Sequence, residues 1–451
     1  MKIKYFFYSA LRLIESYLLA LRYFFVYWWW TAGRILFGAH KDSFNKDAFT
    51  LGAWCFRRML ESLGATYVKM GQIMSTRPDI FPPFLIDELK LLQDHVPPFD
   101  SALIPGEFIL AFGKKPSEIF EKFNETPIAS ASVAQVHEAY LKTGERVAVK
   151  IRRPGMKQKV DYDLAVMRIF AKSISFIPTV AITSPVESVE EFGKAIQGQL
   201  DLRNEAENNR RFQEKFKGNA FVRFPKLYED YCSENILTME FVVGYKVEDV
   251  GKSNCSPELL ARHGLHAIFQ MIYRDGFVHA DLHPGNILFQ DGNVAVYLDL
   301  GMVAELTDHH RERFIEAFMA MANNDGKTVA RLMADYSPTP HKIKDWAAYE
   351  RDVAAHISQY FSKPLNEIEI SVGVGKMVNI LRKHRVRVDA SYTVVNVALL
   401  VAEGMGRRLY PQINLNQELY PFLSELFQEM MRRRTAKAAA SKAVASPPPA
   451  N

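Results

Sequence analysis

The sequence contains little cysteine, and charge of neither sign dominates it. Its 451 residues include three cysteines, none with C-x-x-C spacing, so neither a zinc site nor a disulfide framework is supported and a reducing compartment is expected. The net charge is +5, of which +4 lies in residues 1–40 and +5 follows Glu429, leaving −4 for the body. This distribution does not indicate the stripe of basic residues that is typical of a nucleic-acid-binding surface. With 48% apolar and 24% charged residues, the composition predicts two or three globular domains.

A long apolar run is also missing. Residues 1–40 are rich in aromatic residues, but the longest stretch without charge, between Arg22 and Arg34, has only 11 residues. A membrane span needs about 20, so none is predicted, and a secretory signal is also a poor match. Trp28-Trp29-Trp30 near basic residues is typical of a segment at the membrane–water interface. The alternative is a pair of helices packed on the protein's own core.

The end of the sequence, residues 431–451, is rich in Ala, Lys, Arg and Pro. This composition predicts a disordered basic tail. Such a tail would be attracted to an anionic membrane surface, or it would serve only to increase solubility.

The body of the chain changes from strand patterns to helix patterns. We predict helices over 61–76, 84–94 and 187–216, and a β-hairpin formed by 133–140 and 146–151 around Thr143-Gly144. A strand over 236–243 is followed by a helix that ends at Asp275-Gly276, by two short strands over 287–289 and 294–298, and by helices only from 307 to 430. This order favours an α+β fold with two lobes.

Two carboxylates and an amide are spaced as in a kinase catalytic loop. Four residues separate Asp281 from Asn286, as in H-R-D-x-x-x-x-N, and Asp299 follows thirteen residues later, in the place of the D-F-G aspartate. Upstream, Val147-Ala148-Val149-Lys150 matches the V-A-I-K strand, and Glu205 lies on the next long predicted helix. These five residues in this order predict a nucleotide site.

The chemistry of phosphoryl transfer explains these residue types. Negative charge develops on the phosphate oxygens, so a lysine such as Lys150 and a magnesium ion are needed to neutralise it. Magnesium prefers hard oxygen ligands, which Asn286 and Asp299 provide. Asp281 would orient or deprotonate the nucleophile, and Glu205 is expected to pair with Lys150.

A glycine-rich phosphate loop is absent before the lysine strand. In place of G-x-G-x-x-G the chain has Ala129-Ser130-Ala131-Ser132. Alanine is less free than glycine to adopt positive φ, so this loop is expected to be stiffer and to lie differently over a nucleotide. The alternative is a plain β-turn that contacts no ligand.

These motifs together resemble the UbiB family of atypical, protein-kinase-like proteins. The resemblance rests on the run from Pro127 to His137, on Lys69-Met70-Gly71-Gln72 (K-x-G-Q), and on the run from His279 to Asn286. It covers roughly residues 50–410.

The resemblance implies a two-lobed protein-kinase-like fold with an N-terminal helical extension covering the active site. It implies ATP and Mg²⁺ as cofactors, Lys69 and Gln72 as active-site residues of the extension, and Ala129 to Ser132 as the nucleotide loop. The domains expected are an aromatic segment over 1–40, the extension over 41–125, an N-lobe over 126–244, a C-lobe over 245–430 and a tail over 431–451. The resemblance also implies a role in ubiquinone and isoprenoid-lipid metabolism, association with membranes, and ATPase activity.

The sequence departs from the family pattern at Gln199-Leu200-Asp201, where an E-x-D motif is usual. A neutral amide cannot be the counter-charge of Lys69, so this lysine relies on Asp201, or the nucleotide site is regulated differently. No A-P-E motif follows Gly301, which predicts the absence of a peptide-docking platform. The C-terminal membrane span of some bacterial relatives is also not found.

The leading hypothesis is a membrane-associated ATPase that binds Mg–ATP and supports ubiquinone biosynthesis, with backbone groups of Glu240 and Val242 pairing with adenine. The alternatives are a small-molecule or lipid kinase, and a nucleotide-binding scaffold without turnover. The expected partners are membrane lipids, isoprenoid or quinone precursors and other quinone-biosynthesis proteins, but not nucleic acid. The expected location is the cytoplasmic face of a bacterial inner membrane, with the matrix side of a mitochondrial inner membrane as the alternative.

Overall fold

A computed structural model describes most of the chain: residues 2–36, 41–77, 81–92, 97–176, 184–335, 337, 343–361, 370–386 and 390–445. It divides into two compact units, each described by itself below. Unit 1 comprises residues 1–211 and 225–242, and unit 2 comprises residues 212–224 and 243–451.

Unit 1 combines helices with a five-stranded antiparallel sheet in the order β1-β3-β4-β6, with β2 paired to β3. Its helices are α1 (Lys2–Leu36), α2 (Lys41–Leu63), α3 (Ala65–Ser75), α4 (Pro83–Leu89), α5 (Ile104–Phe112), α6 (Pro116–Ile119), α7 (Met156–Ile174), α8 (Pro185–Leu200) and α9 (Leu202–Lys215), the last continuing into unit 2. Its strands are β1 (Phe120–Phe123), β2 (Ala129–Ser130), β3 (Ala134–Leu141), β4 (Arg146–Arg152) and β6 (Ile236–Glu240).

Unit 2 is mostly helical. Its strands are β5 (Val222–Arg223), β7 (Phe277–His279), β8 (Ile287–Gln290), β9 (Val294–Tyr297) and β10 (Val303–Glu305). They form a three-stranded sheet, β5-β9-β8, and a two-stranded sheet, β10-β7. Its helices are α10 (Pro257–Phe269), which runs into a π-helical turn (Gln270–Arg274), then α11 (Asp308–Ala322), α12 (Gly326–Asp335), α13 (Trp346–Phe361), α14 (Ile370–Lys383), α15 (Ala390–Leu409) and α16 (Leu415–Ala445).

Several predictions of secondary structure are confirmed. The hairpin forms as β3 and β4: buried and partly exposed residues alternate along most of β3, and Gly144 adopts the positive φ that its turn requires. The two short strands form as β8 and β9, and from residue 307 the described residues contain helices without strands. The strand predicted over 236–243 ends three residues earlier, at Glu240.

Two predicted long helices are each broken in two, so those predictions are wrong. Helix 61–76 is interrupted at Gly64, whose φ of 96° lies outside the helical region, and 187–216 is interrupted at Asp201, which has an extended backbone. The helix predicted over 84–94 extends only from Pro83 to Leu89, and residues 93–96 lie outside the described residues.

The two ends of the chain also differ from the predictions. A single helix, α1, takes the place of a pair of helices, and none of the described helices is both long enough and apolar enough to cross a bilayer. Helix α16 continues to Ala445, so the disordered tail is wrong for 431–445, where Ala, Arg and Lys are strong helix formers. Residues 446–451 lie outside the described residues.

Candidate functional site

The central ion pair of the candidate nucleotide site is present in unit 1. Lys150 extends from β4, and its Nζ donates to both carboxylate oxygens of Glu205, at 2.9 and 2.8 Å. Both side chains are buried, at 9% and 6% exposure. Burial removes water that would compete for the two charges, so the pair fixes the position of the lysine.

The break before α9 determines where Glu205 lies. Arg152, two residues after Lys150 on β4, donates through Nη1 to the carbonyl of Leu200 at 2.6 Å and to the Glu234 carboxylate at 3.1 Å. The first helical residue, Leu202, donates its N–H to the carbonyl of Glu234 at 2.9 Å. The start of α9 is therefore attached directly to the sheet that carries Lys150.

The candidate nucleotide loop is the turn of the β2–β3 hairpin. Ala129 pairs with Val136, and the N–H of Ala131 donates to the carbonyl of Ala134 at 2.8 Å. Ser132 is buried, whereas Ala129 is exposed. The geometry is that of a short, hydrogen-bonded turn, as expected of a stiff loop without glycine.

A residue that sequence reasoning missed, Arg153, holds this turn. Its guanidinium donates to the carbonyl of Ala131 at 3.1 Å, to Oγ of Ser130 at 2.9 Å and to the carbonyl of Pro97 at 2.8 Å. Burial lowers the pKa of Arg153, although such a shift leaves an arginine charged at neutral pH. The only signal in the sequence is the position of Arg153, three residues after the lysine of the V-A-V-K strand.

The K-x-G-Q motif lies on α3. Lys69 is buried, with 8% of its surface exposed. Gln72 donates through Nε2 to the carbonyl of Leu92 at 3.4 Å. A Cβ on Gly71 would lie 2.3 Å from Cδ1 of Leu92 and 2.8 Å from Cδ1 of Leu60, so close packing explains the glycine of the motif.

Helix α3 is attached to α1 and α7 by a buried charge pair that the sequence did not reveal. Arg12 donates through Nε to the Asp163 carboxylate at 2.6 Å, donates to the carbonyl of Leu63, and lies 5.5 Å from the ring centre of Tyr67. The Asp163 side chain is fully buried. Burial raises the pKa of Asp163, and the attraction of Arg12 opposes that rise.

Asp201 is the candidate counter-charge for Lys69. It is bound by Arg203, whose Nη2 lies 2.6 Å from Oδ2 and whose backbone N–H donates to Oδ1 at 3.1 Å. These hydrogen bonds lower the pKa of Asp201. The carboxylate therefore caps the start of α9, and the Lys69–Asp201 pair stays a prediction.

The predicted adenine segment begins at the end of β6. Glu240 pairs with Val147, and its N–H donates to the carbonyl of Lys226 at 2.8 Å. The division between the two units falls immediately after Val242. Binding of adenine by Glu240 and Val242 stays a prediction.

Unit 2 brings the three predicted catalytic-loop and metal residues together. Asn286 donates through Nδ2 to the carbonyl of Asp281 at 3.2 Å, and its own carbonyl accepts from the N–H of Leu298 at 2.8 Å. Asp299 is next to Leu298 and has a φ of 48°, a conformation that costs energy for a residue with a side chain. Strain at this position is typical of a functional site.

The side chain of His279 contacts both segments of the loop. Its Nε2 lies 3.3 Å from the carbonyl of Leu298, and its Nδ1 lies 3.2 Å from the N–H of Asp281. Because a carbonyl only accepts and an N–H only donates, the ring is neutral, with its proton on Nε2. Burial lowers the pKa of His279, in agreement with a neutral ring. In the sequence, His279 is recognisable as the first residue of the motif but not as the residue that supports the loop.

The donor set fits magnesium better than a softer metal. Asn286 and Asp299 offer hard oxygen atoms, and one or two such ligands are typical where substrate phosphates and water complete the shell of Mg²⁺. Among the described residues, no three His, Cys, Asp or Glu side chains form a cluster able to hold a metal ion alone. When bound, Mg²⁺ would neutralise charge on the phosphate oxygens.

Comparisons with known proteins agree with this geometry. The family profile of the ABC1 atypical kinase-like domain matches residues 91–333, and that of the UbiB helical domain matches residues 353–414. A probable protein kinase UbiB from Pseudomonas fluorescens (strain SBW25) is 36% identical over 389 residues, which span 84% of this chain and 72% of the relative. One from Pasteurella multocida (strain Pm70) is 34% identical, spanning 83% of this chain and 74% of the relative.

A solved structure, the complex of Rv3197 with erythromycin from Mycobacterium tuberculosis, is similar in fold. It has a TM-score of 0.55 and 20% sequence identity, and the match covers 82% of this chain and 95% of that one. The α+β, protein-kinase-like fold and the N-terminal helical region are thus confirmed. The resemblance seen in the sequence is confirmed as well: this chain belongs to the UbiB family of atypical kinase-like proteins.

Proposed function

We propose that this protein binds Mg–ATP and hydrolyses ATP at a membrane surface in support of ubiquinone biosynthesis. The observation that carries the proposal is the loop of unit 2. There Asn286 is hydrogen-bonded both to Asp281 and to Leu298, the residue before Asp299. The buried Lys150–Glu205 pair of unit 1 supports it, since the same pair positions the phosphate-binding lysine of kinases. The names of the relatives, probable protein kinase UbiB, give the connection with ubiquinone.

Each residue has a role in this proposal. Lys150 would bind the phosphates, and Asn286 and Asp299 would hold Mg²⁺. Asp281 would orient the attacking water by accepting its proton in a hydrogen bond. The turn from Ala129 to Ser132 would lie over the phosphates, with backbone groups of Glu240 and Val242 at the adenine. Lys69 and Gln72 belong to the buried helix α3, where they would restrict access of other acceptors.

Helix α1 supports peripheral contact with a membrane. One of its faces packs on α2 and α7, whereas the other exposes large apolar side chains. Trp29 is 78% exposed, and Phe25 and Leu18 are exposed on the same side of the helix. Exposed aromatic residues near basic ones are typical of the membrane–water interface. The relatives are bacterial, which favours the cytoplasmic face of the inner membrane.

The test is Mg²⁺-dependent ATP hydrolysis by the full chain, with and without anionic liposomes. We expect Asp299→Asn to lower kcat by at least about a hundredfold, because a neutral amide cannot balance the charge of the ion. The matched control is Asp291→Asn, in the exposed turn between β8 and β9, which should keep wild-type activity. Unchanged hydrolysis in Asp299→Asn would contradict the proposal.

The same assay separates the alternative functions. Labelled phosphate that appears on an added lipid extract, rather than as free phosphate, would identify a lipid kinase. Stabilisation of the protein by Mg–ATP, without hydrolysis either in the presence or in the absence of liposomes, would identify a nucleotide-binding scaffold.

A further inference from the structure

Arg153 connects the candidate nucleotide loop to a segment of the chain that precedes the sheet. Its Nε donates to the carbonyl of Ala131 at 3.1 Å, and its Nη2 donates to Oγ of Ser130 at 2.9 Å. The same Nη2 donates to the carbonyl of Pro97 at 2.8 Å. The backbone N–H of Arg153 donates to the carbonyl of Val133 at 2.9 Å. One residue thus contacts the turn at three positions and attaches it to Pro97.

The segment that follows Pro97 is itself attached to the sheet. The ring centre of Phe99 lies 5.9 Å from the guanidinium carbon of Arg153, within the range of a cation–π contact. Phe99 also packs against the apolar core of the sheet, and its N–H donates to Oε1 of Gln135 at 3.1 Å. The guanidinium therefore joins the turn to a part of the chain that has its own contacts with β3.

His137 fixes the orientation of the Gln135 amide. The Nδ1 of His137 lies 2.9 Å from the carbonyl of Asn124, and its Nε2 lies 2.9 Å from Nε2 of Gln135. Because a carbonyl only accepts, Nδ1 carries the proton and Nε2 accepts from the amide. Burial lowers the pKa of His137, in agreement with a neutral ring. The remaining oxygen of Gln135 then faces the N–H of Phe99, so each group in this buried chain of hydrogen bonds has a matching partner.

Support of this kind matters for a loop that closes over phosphates. Ordering a flexible loop when a ligand binds costs conformational entropy, and a loop that is already ordered avoids this cost. The bonds from Arg153 to Ser130 and Ala131 order the turn before any nucleotide binds. The alanines act in the same direction, because alanine has less backbone freedom than glycine.

Arginine is better suited to this task than lysine. Its planar guanidinium has five N–H donors in a fixed arrangement, so one side chain bonds several acceptors at once. The ammonium of lysine is a compact charge on a flexible stem. A lysine at position 153 would keep the charge without the geometry.

We propose that Arg153 is a positioning residue: it holds the turn from Ala129 to Ser132 in the conformation that receives the phosphates of a nucleotide. It acts through the loop, so it affects the affinity for nucleotides that carry phosphates and not the affinity for the nucleoside. The contacts of Arg153 with the turn carry this assignment, whereas the identity of the ligand rests on the proposed function.

The test compares the binding of Mg–ADP and of adenosine to the full chain by isothermal titration calorimetry. We expect Arg153→Leu to raise the Kd of Mg–ADP by about tenfold or more and to change the Kd of adenosine by less than about twofold. A general disturbance of the fold would weaken both ligands, so the difference between them is the readout. The control is Arg168→Leu, which loses two hydrogen bonds to Glu190 and should bind both ligands like wild type.

Arg153→Lys separates position from charge, and it also decides the case if Arg153→Leu does not fold. It should raise the Kd of Mg–ADP by about threefold or more, with adenosine again unchanged. Wild-type affinity for Mg–ADP in Arg153→Lys would show that the charge attracts the phosphates directly, and this would overturn the positioning role.

Hydrogen exchange without nucleotide tests the support of the turn independently. Arg153→Leu should accelerate exchange of the Ala131 N–H, which bonds the carbonyl of Ala134, by about tenfold or more. Unchanged exchange, equal weakening of Mg–ADP and adenosine, or wild-type affinity for Mg–ADP in Arg153→Leu would each overturn the proposal. A wild-type protein that binds no Mg–ADP would instead overturn the proposed function and the identity of the ligand, and the exchange rates would still decide whether Arg153 holds the turn.

Discussion

The pair formed by Arg12 and Asp163 predicts that a single change in α1 destabilises unit 1. In Arg12→Leu the helix keeps an apolar side chain, but the Asp163 carboxylate loses its cation. The variant also removes the donor to the carbonyl of Leu63 at the end of α2 and the cation over the ring of Tyr67. With the ion pair to Glu15, four contacts made by one side chain are lost together.

The size of the destabilisation by Arg12→Leu follows from the burial of Asp163. Asp163 is fully buried, and removal of one member of a buried pair costs about 3–5 kcal/mol, because the other charge is left without compensation. Protonation of Asp163 limits the loss, since each pKa unit corresponds to about 1.4 kcal/mol. For a unit of this size, 1 kcal/mol changes Tm by about 2–4 °C. We therefore expect the Tm of unit 1 to fall by about 6 °C or more.

The loss also depends on pH. Burial raises the pKa of Asp163 above its unfolded value, so the stability associated with this group is complete below the unfolded pKa and is lost as pH rises through the folded pKa. Removal of Arg12 raises the folded pKa further, which extends this loss to higher pH. The destabilisation by Arg12→Leu should therefore be larger at about pH 8 than at about pH 5.

Calorimetric melting of the full chain at both pH values tests this reasoning. The control is Arg58→Leu, because Arg58 is half exposed and pairs with Glu61 on the surface, where an ion pair contributes about 0–1 kcal/mol. The double variant Arg12→Leu/Asp163→Leu should recover much of the lost Tm, since an apolar pair needs no counter-charge. A Tm of Arg12→Leu within about 2 °C of wild type at both pH values would refute the argument.

Three further predictions concern other elements of unit 1. Gly71→Ala should cost about 1–3 kcal/mol in denaturant unfolding, because its Cβ would overlap two leucine side chains. The matched change Gly198→Ala, with open space around its Cβ, should stabilise unit 1 by up to about 1 kcal/mol. The check is that the two variants change the free energy of unfolding in opposite directions. Lys150→Met should lower the Tm of unit 1 by several degrees, because it removes two hydrogen bonds and a positive charge from the buried carboxylate of Glu205. Trp29→Ser should weaken liposome flotation about tenfold or more without changing Tm, whereas Leu110→Ser, 79% exposed on α5, should float like wild type.

The sequence predicted the elements whose signals are local. The β3–β4 hairpin follows from two strand-like segments around a glycine turn, and the order of Lys150, Asp281 and Asp299 along the chain needs no knowledge of distant contacts. The Lys150–Glu205 contact was predictable because kinase-like chemistry requires it.

The helix breaks were not predictable from periodicity, because apolar spacing continues through both of them. Gly64 was recognisable only as an isolated glycine, which helices also tolerate, and Asp201 ends α8 because its carboxylate caps the next helix. Arg12 and Asp163 are 151 positions apart, and no local pattern connects them.

The neutral ring of His279 has a consequence for acid conditions. A proton added to Nδ1 would put two donors face to face, because the N–H of Asp281 already occupies that position. Since the pKa of His279 is lowered in the fold, the stability that this ring provides is present above the unfolded pKa and is lost as pH falls through the folded one. Acidification below the folded pKa would then remove the acceptor that His279 offers to the N–H of Asp281. One imidazole thereby makes the geometry of this loop sensitive to the acidity of its compartment.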